Sequence, residues 1–308
     1  MNDTFDIPVL MLVFNRPAET QRVFDAVKAA QPSRLYVAAD GARAHKSADE
    51  ELSNKTRAIF KQIDWPCELK TLYREQNLGC GPAVSNAITW FFEQEEMGII
   101  LEDDCLPAPD FFSFCKTMLN YYKNDEQVMQ ICGSNFQQGI KRGPASYYFS
   151  MNSFIWGWAT WRRAWKHYNY ELNNIENDTL LNLNYYTPHE GLKRYWKHIF
   201  MFSKKQVFNT WDYQWGLTIL KQRGVSLVPN VNLITNIGNT DNSAHGSSDD
   251  SSWTVNQQVG TLKEITYATK VKLDKEADIY FYEQALKPKN NLVQKVVKTW
   301  RYLKWRFS

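Results

Sequence analysis

A chain of 308 residues, 44% hydrophobic and 22% charged, is long enough for one large or two fused globular domains and too apolar for a disordered one. Its longest apolar run, residues 7–14, falls far short of the roughly 18–20 residues of a bilayer span, and five cysteines without C-x-x-C spacing argue against a disulfide framework or zinc knuckle. The net charge of +3 divides unevenly: residues 289–308 carry +6 and no acidic residue, so the first 288 carry −3, a balance unsuited to a nucleic-acid-binding domain.

The first 130 residues alternate apolar runs with helix-period segments. Residues 7–14 read as a buried strand, and Asn15-Arg16-Pro17 then reads as a helix start with Asn15 as cap. Val23, Ala26, Val27 and Ala30 form that helix's inner face. Residues 35–39 are a second strand ending at Asp40-Gly41, and Leu52, Ile59 and Ile63 mark a polar second helix. A third strand covers 69–73, and Gly81-Pro82 opens a helix carrying Val84, Ala87, Ile88 and Phe91. A fourth strand covers 98–101, and a helix with Phe112, Cys115, Leu119 and Tyr122 follows Pro109. This alternation predicts an α/β fold with a doubly wound, mostly parallel (mixed) sheet and helices on both faces.

Such sheets bind ligands at the carboxyl ends of their strands. Polar residues collect at those ends here: Asn15 and Arg16, Asp40, Arg74, and Glu102-Asp103-Asp104. Past residue 145 the pattern loosens. Helices are expected over 188–206 and 211–223, a strand over 225–228 and a polar, turn-rich loop over 236–252, all elaborating the same sheet.

Three adjacent carboxylates repel one another. A divalent cation, Mg²⁺ or Mn²⁺, held by one or two of them together with substrate phosphates relieves the repulsion; an acidic turn solvated by water is the plain alternative. The segment 102–112 (EDDCLPAPDFF) resembles the signature of metal-dependent glycosyltransferases of the GT-A fold. It is most similar to the branch of N-acetylglucosaminyltransferase I and related bacterial sugar transferases. Asn15-Arg16-Pro17, residues 37–41, residues 74–79, the Trp156–161 segment, Trp211-Asp212 and residues 236–245 follow in the order of that group.

The resemblance implies one glycosyltransferase domain over 1–288, with 1–135 on the nucleotide side and 136–288 on the acceptor side. It implies that Asp104 ligates Mn²⁺ or Mg²⁺ on the diphosphate of a nucleotide-diphospho-sugar donor, with His245 closing over it. Glu102 and Asp103 would face the ribose and the outer metal shell. Phe14, Asn15, Arg16 and Asp40 would line the nucleotide, a uridine in the best-matched relatives. Arg74 and Asn77 would lie near the diphosphate or sugar. Asn242, Ser243 and Ala244 stand where the family commonly has glycines around the histidine.

Transfer also requires a base for the acceptor hydroxyl. Asp212, at a helix start among aromatics, is the candidate, and inversion at the anomeric carbon follows from the resemblance; a helix cap is the structural alternative. Trp158, Trp161 and Trp165 fall at i, i+3 and i+7, the face of an amphipathic helix. Trp156, Gly157, Trp158 and Trp211 are the candidate lining of the sugar and acceptor pocket.

In residues 290–308 Leu292, Val296, Trp300, Leu303 and Phe307 form an apolar stripe under a basic face, the pattern of an interfacial helix on an anionic membrane. A terminal helix packed on the body is the alternative. With no basic-then-apolar leader in view, a cytoplasmic enzyme peripheral to the inner membrane face is expected, working on a glycan or lipid-linked acceptor in cell-surface polysaccharide synthesis, with no nucleic-acid partner. Two other functions compete. One is a nucleotidyltransferase making an activated sugar, a class that usually carries a glycine-rich loop after the first strand where this chain has Asn15-Arg16-Pro17. The other is a catalytically silent glycan- or membrane-binding module of the same fold.

Overall fold

The computed structural model describes residues 5–173, 183–207, 209–238 and 257–287. The opening apolar run becomes β1 (Val9–Val13), buried at every position, as a strand covered on both faces must be. Parallel neighbours β2 (Arg34–Ala39) and β4 (Met97–Glu102) flank it, and β3 (Glu68–Tyr73) forms the edge beyond β2. The connecting helices are α1 (Pro17–Ala30), α2 (Ser47–Ala58) and α3 (Cys80–Phe92). The short strand β5 (Cys105–Pro107) and α4 (Pro109–Tyr121) lead out of the acidic triplet.

The second half of the chain extends this sheet. Its strands are β6 (Val128–Cys132), β7 (Tyr147–Ser150), β8 (Trp158–Trp161) and β9 (Val225–Pro229), in the spatial order β3-β2-β1-β4-β8-β6-β9-β7. β8 runs antiparallel to both β4 and β6, and β7 antiparallel to β9; the other six strands point one way. The fold is therefore mixed α/β and mostly parallel. Helices α5 (Arg162–Trp165), α6 (Leu183–Tyr186), α7 (Glu190–Lys204) and α8 (Asp212–Lys221) precede β9, matching the expected helices and strand within two residues. A short strand β10 (Ile234–Asn236) then pairs antiparallel with β5, and α9 (Lys275–Phe281) packs beyond β7.

Strand alternation divides the core between the two faces. Val9, Met11, Val37, Ile99 and Leu101 point to the side of α1 and α4, with Val23, Phe24, Phe111 and Met118. Leu10, Leu12, Tyr36 and Ile100 point to the side of α3 and α8, with Ile88, Phe91, Trp215 and Ile219. Helices thus cover both faces, as a doubly wound sheet requires.

Two local expectations are corrected. Trp158 and Trp161 lie on β8 and not on a helix. Three residues apart on a strand puts them on opposite faces, so Trp158 joins the α3 side and Trp161 the α4 side, where its Nε1 donates to the Leu119 carbonyl at 3.2 Å. Asn15 does not cap α1. That helix begins after Arg16 with no side-chain cap, and Asn15 Nδ2 donates instead to Asp49 Oδ1 at 2.8 Å. The expected tail helix over 289–308 lies outside the described residues.

Candidate active site

The carboxyl ends of β1 and β4 are adjacent because the two strands pair in register, Val9 opposite Ile99 and Leu12 opposite Glu102. That pairing brings Phe14, Asn15 and Arg16 beside the acidic triplet. The Phe14 amide donates to Asp103 Oδ2 at 3.3 Å. Arg16 Nη1 lies 2.7 Å from Asp104 Oδ2 and 3.6 Å from Asp103 Oδ1, bridging the two carboxylates. Asp104 is also met by the Cys105 thiol at 3.5 Å, and its carbonyl accepts from the Ile237 amide at 2.8 Å. Gly238 follows directly, and a Cβ there would stand 2.1 Å from Asp104 Oδ2, so only glycine lets the chain pass. Residues 239–256, with His245, lie outside the described residues.

Arg16 leaves much of the negative charge uncompensated. Burial, then Asp104, push the Asp103 carboxyl up to about 7 against the opposing pull of Arg16. Burial, with Asp104, Asp103 and Asp212, pushes Glu102 well above the ordinary carboxylate range, and its Oε1 is shielded from water without a partner. The Cys80 thiol, at the surface at the start of α3, is pushed up by partial desolvation and by Glu102, Asp212 and Asp40. Asp212 and Glu102, from segments more than a hundred residues apart, therefore share one electrostatic neighbourhood.

Asp212 is the first residue of α8 and not its cap; Trp211 holds that position. Its Oδ1 accepts from the Thr210 hydroxyl. Asn209, which the sequence did not single out, anchors this segment. Its Oδ1 accepts from the Gly81 amide at 3.0 Å, and its Nδ2 would lie 2.8 Å from a Cβ on Gly79. Tyr195 and Tyr213 also feel the Asp212 charge. An Asn-Thr pair just before a Trp-Asp helix start was the available signal.

Asp40 and Asn77 engage each other. Asp40 accepts from the amides of Gly41, Leu78 and Gly79 at 3.0–3.1 Å and from Asn77 Nδ2 at 3.0 Å, pinning the 77–79 turn to the end of β2. Arg74 stands apart from the acidic triplet, and the charge acting on it is Asp40. A second missed group, Asp49 with Arg43, backs Asn15. Arg43 Nε and Nη2 reach the two Asp49 oxygens at 2.6 and 3.0 Å, and the guanidinium lies 5.3 Å from the Phe14 ring.

Of the tryptophans, Trp158 and Trp211 are 0% and 1% exposed and stack on each other, with Trp165 and Trp215 alongside. Their rings present no face to a sugar, a correction explained by the four-ring core they build. Trp156 is half-buried against Phe136, and Gly157 has φ +59° where a Cβ would strike Ile234. Trp156 and Gly157 remain at the ends of β6 and β4, since the Gly133 amide donates to the Gly157 carbonyl at 2.7 Å and Gly157 approaches Leu101.

Among the described residues no three carboxylate, imidazole or thiol groups converge closely enough to form a metal cage. What they offer is an oxygen-only cluster with a shielded, orphaned Glu102 Oε1 and unrelieved repulsion. That donor set fits a hard divalent cation held by one or two carboxylates and completed by a ligand's phosphates.

No family model and no curated protein matches the chain. Solved structures to which the chain is similar include HddC from Yersinia pseudotuberculosis, at 10% identity over 51% of this chain and 77% of that one, TM-score 0.32. A 4-diphosphocytidyl-2C-methyl-D-erythritol synthase from Anaerococcus prevotii matches at 8% identity over 46% and 60%, TM-score 0.30. A UDP-glucose pyrophosphorylase complexed with UDP-glucose matches at 9% over 72% and 90%, TM-score 0.37. Among the described residues no helix is long and apolar enough to cross a membrane.

Proposed function

We propose that the chain is a divalent-metal-dependent, inverting glycosyltransferase of the GT-A type that moves a sugar from a nucleotide-diphospho-sugar, a UDP-sugar in the first instance, to a hydroxyl of a glycan or lipid-linked acceptor. The observation that supports this reading is the grouping of Arg16, Asp103 and Asp104 with Glu102 at the ends of β1 and β4, within reach of the Asp212 charge. Asp104, with His245 further along the chain from Gly238, would hold Mn²⁺ or Mg²⁺, whose chemistry there is Lewis-acid neutralisation of the leaving diphosphate. Arg16 adds a fixed positive charge beside the same group. Phe14 and Asn15 line the nucleotide side, with Asn15 held by Asp49; Trp156 and Gly157 are the remaining candidates for the sugar floor.

In the transfer step Asp212 accepts the proton of the acceptor hydroxyl as its oxygen forms the new bond to the anomeric carbon. The bond from that carbon to the phosphate oxygen breaks, and the nucleoside diphosphate departs with the electron pair. Attack from the face opposite the leaving group inverts the centre. The Thr210 hydroxyl, hydrogen-bonded to Asp212 Oδ1, and Asn209, bound to the start of α3, orient the base. The basic tail would bring the enzyme to the inner face of an anionic membrane, where lipid-linked acceptors reside.

Calorimetric titration with UDP, with and without Mn²⁺, tests donor binding. Binding that requires the metal is the expected result, and no nucleotide binding would leave only a silent module. Asp212→Asn is expected to lower transfer by at least a hundredfold with UDP affinity unchanged; an active variant removes Asp212 as base. Release of pyrophosphate from a nucleoside triphosphate and a sugar 1-phosphate would establish the nucleotidyltransferase instead.

A further inference from the structure

Arg43, whose guanidinium lies 5.3 Å from the Phe14 ring, also lines a cavity of about 440 Å³ bounded by the start of α2 and the end of β3. Its charged lining is Arg43, Lys46, Arg57 and Arg74 against Glu50 and Glu75. The cations are unevenly satisfied. Arg43 is neutralised from behind by Asp49. Arg57 donates Nη2 to the carbonyls of Asp40 and Arg74 at 3.1 and 2.8 Å, and its Nε is buried with no partner. The Arg74 guanidinium, half-buried, makes no hydrogen bond or ion pair with any described residue, and neither Glu50 nor Glu75 pairs with a cation.

Burial pushes Arg74 below its ordinary value, with Asp40 opposing it weakly from a carboxylate already taken up by the 77–79 turn. Removing a guanidinium from water without a counterion is unfavourable, and a bound oxyanion relieves it through the strong, directional bonds that guanidinium groups form with phosphate. The cavity falls in the size range of small-molecule sites.

We propose that this cavity is a second, separate ligand site for a small phosphate monoester such as a sugar phosphate, held by Arg74 and Arg57 with Lys46 at its mouth. It is distinct from the donor's diphosphate site, because none of Phe14, Asn15, Arg16 and residues 102–104 lines it. Its occupant sits beside Arg43, which bonds Asp49 and through it Asn15, and can bias the three together.

The test is calorimetric titration of the full chain with inorganic phosphate and with a hexose 1-phosphate, each with and without saturating UDP and Mn²⁺. One phosphate per chain is expected, bound equally well in the presence of UDP and weakened at least tenfold by Arg74→Gln. Lys46→Gln, at an exposed position, is expected to weaken binding about threefold and serves if the first variant misfolds. Absence of phosphate binding, full affinity in both variants, or competition by UDP would each overturn the proposal, competition assigning the phosphate to the donor's own site. Failure of UDP to bind would count against the glycosyltransferase reading and leave the phosphate result standing.

Discussion

The strands β3, β2, β1 and β4 and the strands β8, β6, β9 and β7 share one sheet but do different work. The first four are parallel, are linked by helices, and end in polar groups that meet across neighbouring strands. The last four include two reversed strands and are held by an aromatic core in which Trp158, Trp165, Trp211 and Trp215 pack together. Charge and hydrogen bonds shape the first half's rim, and ring packing positions Asp212, a carboxylate of the second half whose charge acts on Glu102. A loss of packing in the second half should therefore cost stability first, whereas a loss of polar contacts in the first should act mainly on local order.

Three substitutions sharpen that contrast. Trp158→Ala opens a large cavity in the four-ring core and is expected to destabilise the chain by about 3–5 kcal/mol in denaturant unfolding. An effect below about 1 kcal/mol would refute the ring core as the second half's anchor. Asp40→Ala leaves the amides of Gly41, Leu78 and Gly79 without their acceptor and is expected to cost about 2 kcal/mol, with faster hydrogen exchange confined to the 77–79 turn. The smallest effect depends on pH. The hydrogen bonds from Arg43 hold the Asp49 carboxyl at about 2, below its usual 3.8. Its contribution is thus present above about pH 4 and lost as pH falls toward 2. Asp49→Asn should be less stable than the parent by about 1 kcal/mol at pH 7, a figure discounted because Arg43 is 40% exposed. The gap should close in acid; a gap independent of pH would show that shape, not charge, matters there.

The parallel half was legible in the sequence because doubly covered strands are short, continuous apolar runs, as in residues 7–14, and each is followed by a helix with its own period. The triplet 102–104 was legible for the same reason: it ends such a run. β8 was not. Trp158, Trp161 and Trp165 fit a helical face by spacing, and only the pairing of Ile99 and Ile131 with Ala159 makes 158–161 a strand. Asn15 reads as a cap, and no local pattern marks Asp49 or Arg43. Their association depends on α2 folding back over the end of β1, which no local pattern specifies. The cavity beside Arg43 is hidden likewise, since Arg57 and Arg74 are brought together without a carboxylate partner only once helix and strand enclose them.

The lodging of β8 between β4 and β6 bears on how the molecule is synthesised. β6 leaves the ribosome soon after β4, yet it pairs with a neighbour that emerges later still. Until Trp158 is available, one margin of the nascent sheet is the bare, wholly apolar stretch of Ile99, Ile100 and Leu101, an adhesive edge for any passing chain. Truncated products ending before residue 158 should therefore aggregate more readily than the full chain.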